Sequence, residues 1–227
     1  MAEVHGVLTW LHALGGAVAL VVMWVPLFSR KGGTVHRRAG KVFVASMAWV
    51  SVSALLASAL KLALRPEQPQ QPLMLSLVAI QAASAAWWGV SVLRQKLRSG
   101  AGRVLPDWIA AMALLGSGAL AVVYWLQGAS LLFAIFGALN LVFGWRFSLA
   151  LGRAPKSSFW WWYEHLFGMI VACIGALTAF FVVNYTSAPE AFRSVVPPLV
   201  VWTAPGAVGG IAIAVAMRFY RRKFGDA

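Results

Sequence analysis

Few side chains in this chain can carry a proton or hold a metal and also fall in or beside apolar sequence. They are His12, His36, Asp107, Glu164 and His165. Glu164 and His165 are adjacent and open the stretch 160–184, WWWYEHLFGMIVACIGALTAFFVVN, whose apolar part is long enough to cross a bilayer. Ionisable groups are costly to bury where a membrane helix begins, so their presence there points to function. A histidine titrates near neutral pH and is tuned by burial and by a neighbouring carboxylate, which suits it to passing protons along part of a membrane path. The same residue types bind metals. His36 and His165, with Glu164, Asp107 or Met169, would make a zinc-like N/O site, a copper-type site or bis-histidine haem ligation. No HxxxH or CxxC spacing is present, so no local motif encodes a metal site.

Depth decides which of these groups can meet. At ~1.5 Å per residue, His12 lies about 8 Å below one membrane boundary and His165 about 8 Å above the other, so roughly 15 Å separates them along the membrane normal. His5 and His12 are about 10 Å apart on one helix. His36 and His165 belong to the same side, and they alone can share an ion. The expected ligand or proton site is therefore His12, His36, Glu164 and His165, and the expected metal set is His36, His165, Glu164 and Asp107. Structural roles compete for each residue. The histidines suit hydrogen bonds inside a bundle, and Asp107 and Glu164 suit the first turns of helices, where an acid complements the helix dipole. Met23, Met47 and Met112 suit gap-filling, and the lone Cys173 is a small buried hydrophobe.

The elements that must position these residues are membrane helices. The 227 residues are 61% hydrophobic and 11% charged, with mean hydropathy +0.77, too little charge to cover a soluble domain. Seven apolar runs, near 7–28, 42–64, 73–93, 107–126, 130–147, 160–185 and 199–219, are each long enough to span a core of ~30 Å. They are continuous rather than alternating, which excludes a closed β-barrel. The reading is an all-α, seven-helix transmembrane bundle, one domain over 1–227, with an uncleaved first span. Runs four and five should form a tight hairpin. The net charge of +13 does not indicate nucleic acid, because the cations sit in short segments between the runs. Sixteen of the 19 Lys and Arg fall on one side: Arg30, Lys31, Arg37, Arg38 and Lys41, then those in 94–103, 146–156 and 218–223. Lys61, Arg65 and Arg193 fall on the other. This places the N-terminus outside and the C-terminus in the cytoplasm.

The loop 29–41, SRKGGTVHRRAGK, should turn at Gly32 and Gly33 and set Arg30, Lys31, Arg37, Arg38 and Lys41 against anionic lipid headgroups. The proline-rich loops 65–72 and 186–198 are too short for a folded ectodomain. Small residues in step with His12 and His165 let helices approach closely and point both histidines into the bundle. Gln81 and Asn140 should bond between helices. Gly206 and Gly210 form a GxxxG pair beside a kink at Pro205, and the aromatic run 160–162 anchors its helix at the headgroup level.

Five motifs occur in order: H-x(2)-G-G-x(2)-A-L from His12 to Leu20, K-G-G-x-x-H-R-R-x-G from Lys31 to Gly40, E-H-x(3)-M from Glu164 to Met169, T-A-F-x-V-V-N from Thr178 to Asn184, and W-x-A-P-x-x-x-G from Trp202 to Gly209. Over nearly the whole chain this set resembles the bacterial membrane proteins called domain of unknown function 2306. The resemblance implies a multi-pass protein of the bacterial cytoplasmic membrane and brings no biochemical activity with it. It places His12, His36 and His165 on motif positions, while the plain third to fifth spans argue against an elaborate catalytic site. The expected function is a binding or transport-type protein whose inner-side His/Glu site takes a proton, a metal ion or a small ligand. The alternatives are a redox protein with haem held by His36 and His165, and an accessory subunit. Expected partners are membrane lipid and an ion or small ligand, with a homo-oligomer or larger membrane complex open.

Overall fold

The computed structural model describes residues 2–102 and 104–226, with side chains from residue 6 onward. Arg103 and the His5 side chain lie outside the described residues. Among the described residues the fold is all helix: α1 (Ala2–Val22), α2 (Trp24–Phe28), α3 (Thr34–Leu64), α4 (Gln70–Ser91, continued by a 3₁₀ turn Val92–Arg94), α5 (Leu105–Leu126), α6 (Leu131–Gly152), α7 (Trp160–Tyr185), α8 (Glu190–Val195) and α9 (Pro198–Phe224). Seven helical segments are long and apolar enough to cross a membrane, and the chain is a multi-pass membrane protein. Successive spans run in opposite directions. The segments 29–33, 95–102 and 153–159 and residues 225–226 therefore share one end, here the basic end. The segments 65–69, 127–130 and 186–197 share the other, the proline-rich end.

The centre is α4. Within its span 61% of the most apolar window is buried, against 11% for the first and last spans. It packs on α3, α5 and α7, while α9 lies outside α7. Alanine and glycine on α4 and α7 explain the closeness of that pair. A Cβ added at Gly168 would lie 2.5 Å from the Ala85 carbonyl and 2.8 Å from the Gly89 nitrogen. The α5–α6 hairpin closes through Gly128 at φ 96° and Ser130, whose Oγ accepts from the Leu132 N–H at 3.3 Å. Its helices meet at Gly118 and Gly137.

Several boundaries differ from the hydropathy runs, for physical reasons. The first span breaks at Met23, because Pro26 has no N–H to give the Val22 carbonyl and its ring crowds that position. Gly32 takes φ 75°, which closes the turn in 29–33, so α3 begins at Thr34. Arg37, Arg38 and Lys41 thus stand on an exposed helical turn rather than in a loop. Helix propensity favours such long basic residues, and α9 likewise carries its basic residues to Phe224.

Further expectations divide. Asn140 Nδ2 does donate across helices, to Ser117 Oγ at 3.1 Å; buried Gln81 Oε1 has no partner among the described residues. On α9, Gly206 and Gly210 face open space, and it is Gly209 that meets α7 at Ile174. The aromatic run is packed into the protein. Trp160 is buried beneath Arg98, whose guanidinium lies 4.3 Å from the ring. Lys96 covers Trp161 at 4.1 Å, and Trp162 stacks edgewise on Tyr220 and Phe224 of α9.

Candidate functional site at the basic end

His36 stands in the first turn of α3, opposite the end of α2. The last carbonyls of a helix lack partners within it, and here they are taken from outside. Pro26 O accepts from His36 Nδ1 at 3.1 Å and from Lys31 Nζ at 2.8 Å, and Leu27 O accepts from Lys31 Nζ at 2.5 Å. Lys31 therefore caps α2 rather than only facing lipid, and burial lowers its pKa. Arg30, Arg37, Arg38 and Lys41 remain exposed around it.

His165, in the second turn of α7, donates from Nδ1 to the Gly89 carbonyl at 2.6 Å. The Gly89–Gly168 crossing brings the backbone of α4 within reach of that ring. The two imidazoles stand with centroids 6.3 Å apart and planes at 69°. A carbonyl can only accept, so each Nδ1 carries a proton, and the neutral form of each ring has its lone pair on Nε2. Deeper in the bundle lies a buried cluster that includes Met23, Phe43, Met47 and Cys173, with Met169 packed against it.

The two acids go elsewhere. Neighbours on a helix point about 100° apart, and Glu164 turns from His165 toward α4 and α6. Its Oε2 accepts from Trp88 Nε1 at 2.8 Å, and its Oε1 pairs with Arg146 Nη2 at 2.5 Å. Arg146 also lies 4.1 Å over the Phe167 ring. Asp107 is fully buried. It accepts from Trp87 Nε1 at 2.8 Å and from Gln95 Nε2 at 2.7 Å, and Arg98 holds Gln95 Oε1 at 3.2 Å. Among the described residues no three of His, Cys, Asp and Glu converge on one point. Of the four residues expected in a metal set, the structure brings His36 and His165 together and ties Glu164 and Asp107 into separate networks. Trp87, Trp88, Gln95, Arg98 and Arg146, which complete those networks, carry no local spacing that announces them.

His12 is on the other side of the buried cluster, toward the proline-rich end. Its Nδ1 lies 2.9 Å from Ser53 Oγ. Ser53 itself donates to the Trp49 carbonyl at 2.7 Å, so it accepts from His12, and Nε2 is again the lone-pair nitrogen. The chain matches no family model, no curated protein and no solved structure.

Proposed function

We propose that this membrane protein binds one soft metal ion, copper(I) foremost, between His36 and His165, as a carrier or metal-handling protein. The observation that carries this reading is the shared geometry of the two rings. Each Nδ1–H is fixed on a backbone carbonyl, the second-shell bond that orients metal-ligating histidines, and each Nε2 is left as a donor atom. A metal bound at the usual 2.0–2.1 Å stands about 3.2 Å from a ring centre, so two rings on opposite sides of one ion have centres roughly 6.4 Å apart. The separation here is 6.3 Å. Two neutral ligands without a carboxylate suit a monovalent ion better than a divalent one, and the thioether of Met169, against Gly89 and one turn along α7 from His165, is a soft donor. The cationic surroundings of Arg30, Arg37, Arg38 and Lys41 weigh in the same direction.

Purified protein loaded with copper(I) and desalted should retain about one equivalent. The double variant H36A/H165A should retain none, and X-ray absorption should show imidazole ligands. Equal retention by the variant refutes the site. The same ring separation suits the two axial positions of a haem iron, and a Soret band after expression with haem would favour that reading instead. The distribution of Lys and Arg supports a cytoplasmic basic end, and the resemblance to domain of unknown function 2306 supports a bacterial inner membrane. A C-terminal sidedness reporter tests the orientation.

A further inference from the structure

Toward the proline-rich end, α1, α3, α4 and α7 line an open cavity of about 490 Å³, within the ~300–1,000 Å³ usual for small-molecule sites. Small aliphatic residues such as Ala13, Ala54, Ala79 and Ala176 form most of its wall. It extends along α3 from Met47 to Lys61, about 21 Å of helix.

Ser51 and His12 are polar residues on this wall. Ser51 is 3% exposed, and its Oγ has no hydrogen bond among the described residues. Helical hydroxyls ordinarily donate to the carbonyl four residues back, as Ser53 does at 2.7 Å, Ser76 at 2.8 Å and Thr203 at 2.7 Å. Ser51 does not. His12, on the facing helix, also lines the cavity; its ring is held by Ser53 and the Val50 carbonyl, and the tautomer that donates from Nδ1 to Ser53 keeps an Nε2 lone pair for a ligand. One wall therefore supplies a donor and another an acceptor, both within a span where a charged ligand end would be expensive.

We infer that this cavity binds a neutral, membrane-soluble alcohol or phenol. The hydroxyl end lies at the level of Ser51 and His12, accepting from the first and donating to the second, and the apolar body lies along the alanine wall. An isoprenoid alcohol and an alkylated hydroquinone share this chemistry, so both serve as probes.

The protein in lipid nanodiscs is titrated with farnesol beside its O-methyl ether and with decyl hydroquinone, kept reduced, beside its di-O-methyl ether; the ethers accept but cannot donate. At least one hydroxyl compound should bind saturably, with its ether about tenfold weaker. Ser51→Ala should weaken binding by about fivefold to tenfold. Ala79→Leu, which fills the cavity, should abolish it, and H36A/H165A should leave it unchanged. Ethers binding as tightly as the hydroxyl compounds would overturn the inference. So would the absence of saturation by either probe, or unchanged affinity in both Ser51→Ala and Ala79→Leu. Should Ala79→Leu fail to fold, the ether comparison and Ser51→Ala decide.

Discussion

At the basic end Asp107 is fully buried between the Trp87 and Gln95 donors, and Glu164 lies between Trp88 and Arg146. Toward the proline-rich end Ser51 is almost as buried and has no hydrogen-bond partner among the described residues. Both ends place polar atoms among apolar helices, and the contrast separates two uses. An acid whose oxygens are filled by indole, amide and guanidinium donors is a fastener, since its lone pairs are spent within the protein. A hydroxyl or an imidazole nitrogen left over is a place for something else. His36 and His165 are intermediate, each satisfied on Nδ1 and open on Nε2.

Paired substitutions test this distinction most severely. Asp107→Ala strands the Trp87 and Gln95 donors in the interior and should destabilise by about 3 kcal/mol. Ser51→Ala removes a hydroxyl that bonds nothing and should change stability by less than about 0.5 kcal/mol, or stabilise. Unfolding in detergent against SDS measures both. Similar losses at the two positions would show that Ser51 has an internal partner after all, and the contrast between the ends would fall.

This contrast explains what the sequence makes legible. Helix number, the grouping of cations at one end and the meeting of His36 with His165 follow from run length and depth counting, which depend on one helix at a time. The destinations of Glu164 and Asp107 do not. Arg146 and Trp88 reach Glu164 from two other helices, and only the rotation of α7 against α4 decides that Glu164 meets them. The Gly89–Gly168 crossing fixes that rotation, and neither glycine differs in sequence from glycines such as Gly206 that touch nothing. The break at Met23 was present in Pro26, but apolar length hides it.

The glycines give a second, smaller test. Gly168→Ala forces a methyl against the Ala85 and Gly89 backbone and should destabilise by about 2 kcal/mol, moving His165 off the Gly89 carbonyl. Gly16, on the cavity wall, has nothing within 4 Å of an added Cβ. Gly16→Ala should therefore be neutral or gain up to about 1 kcal/mol from helix propensity. The same SDS titration reads both, and equal losses would mean that α1 and α3 pack as closely as α4 and α7.

The smallest effect is expected where a polar fastener lies outside the bundle. Asp226, just beyond α9, accepts from the Ser157 hydroxyl and from Tyr163 Oη at 2.7 Å. The Ser157 bond first, then that of Tyr163 and the nearby Arg221, holds its carboxyl below the usual value. A depressed folded pKa means that folding favours the ionised form. The contribution is therefore complete above the unfolded carboxylate value, near pH 4, and is lost as the pH falls through the lower folded value. Asp226 is in contact with water, so the gain is slight and local. It ties the end of α9 to the start of α7 without reaching Asp107 or Glu164. Amide exchange in 218–226 should quicken in wild type as the pH drops below about 4, once corrected for intrinsic exchange, whereas Asp226→Asn should show no such acid step. An identical acid step in the variant would show that Asp226 does not hold the end of α9 to the start of α7.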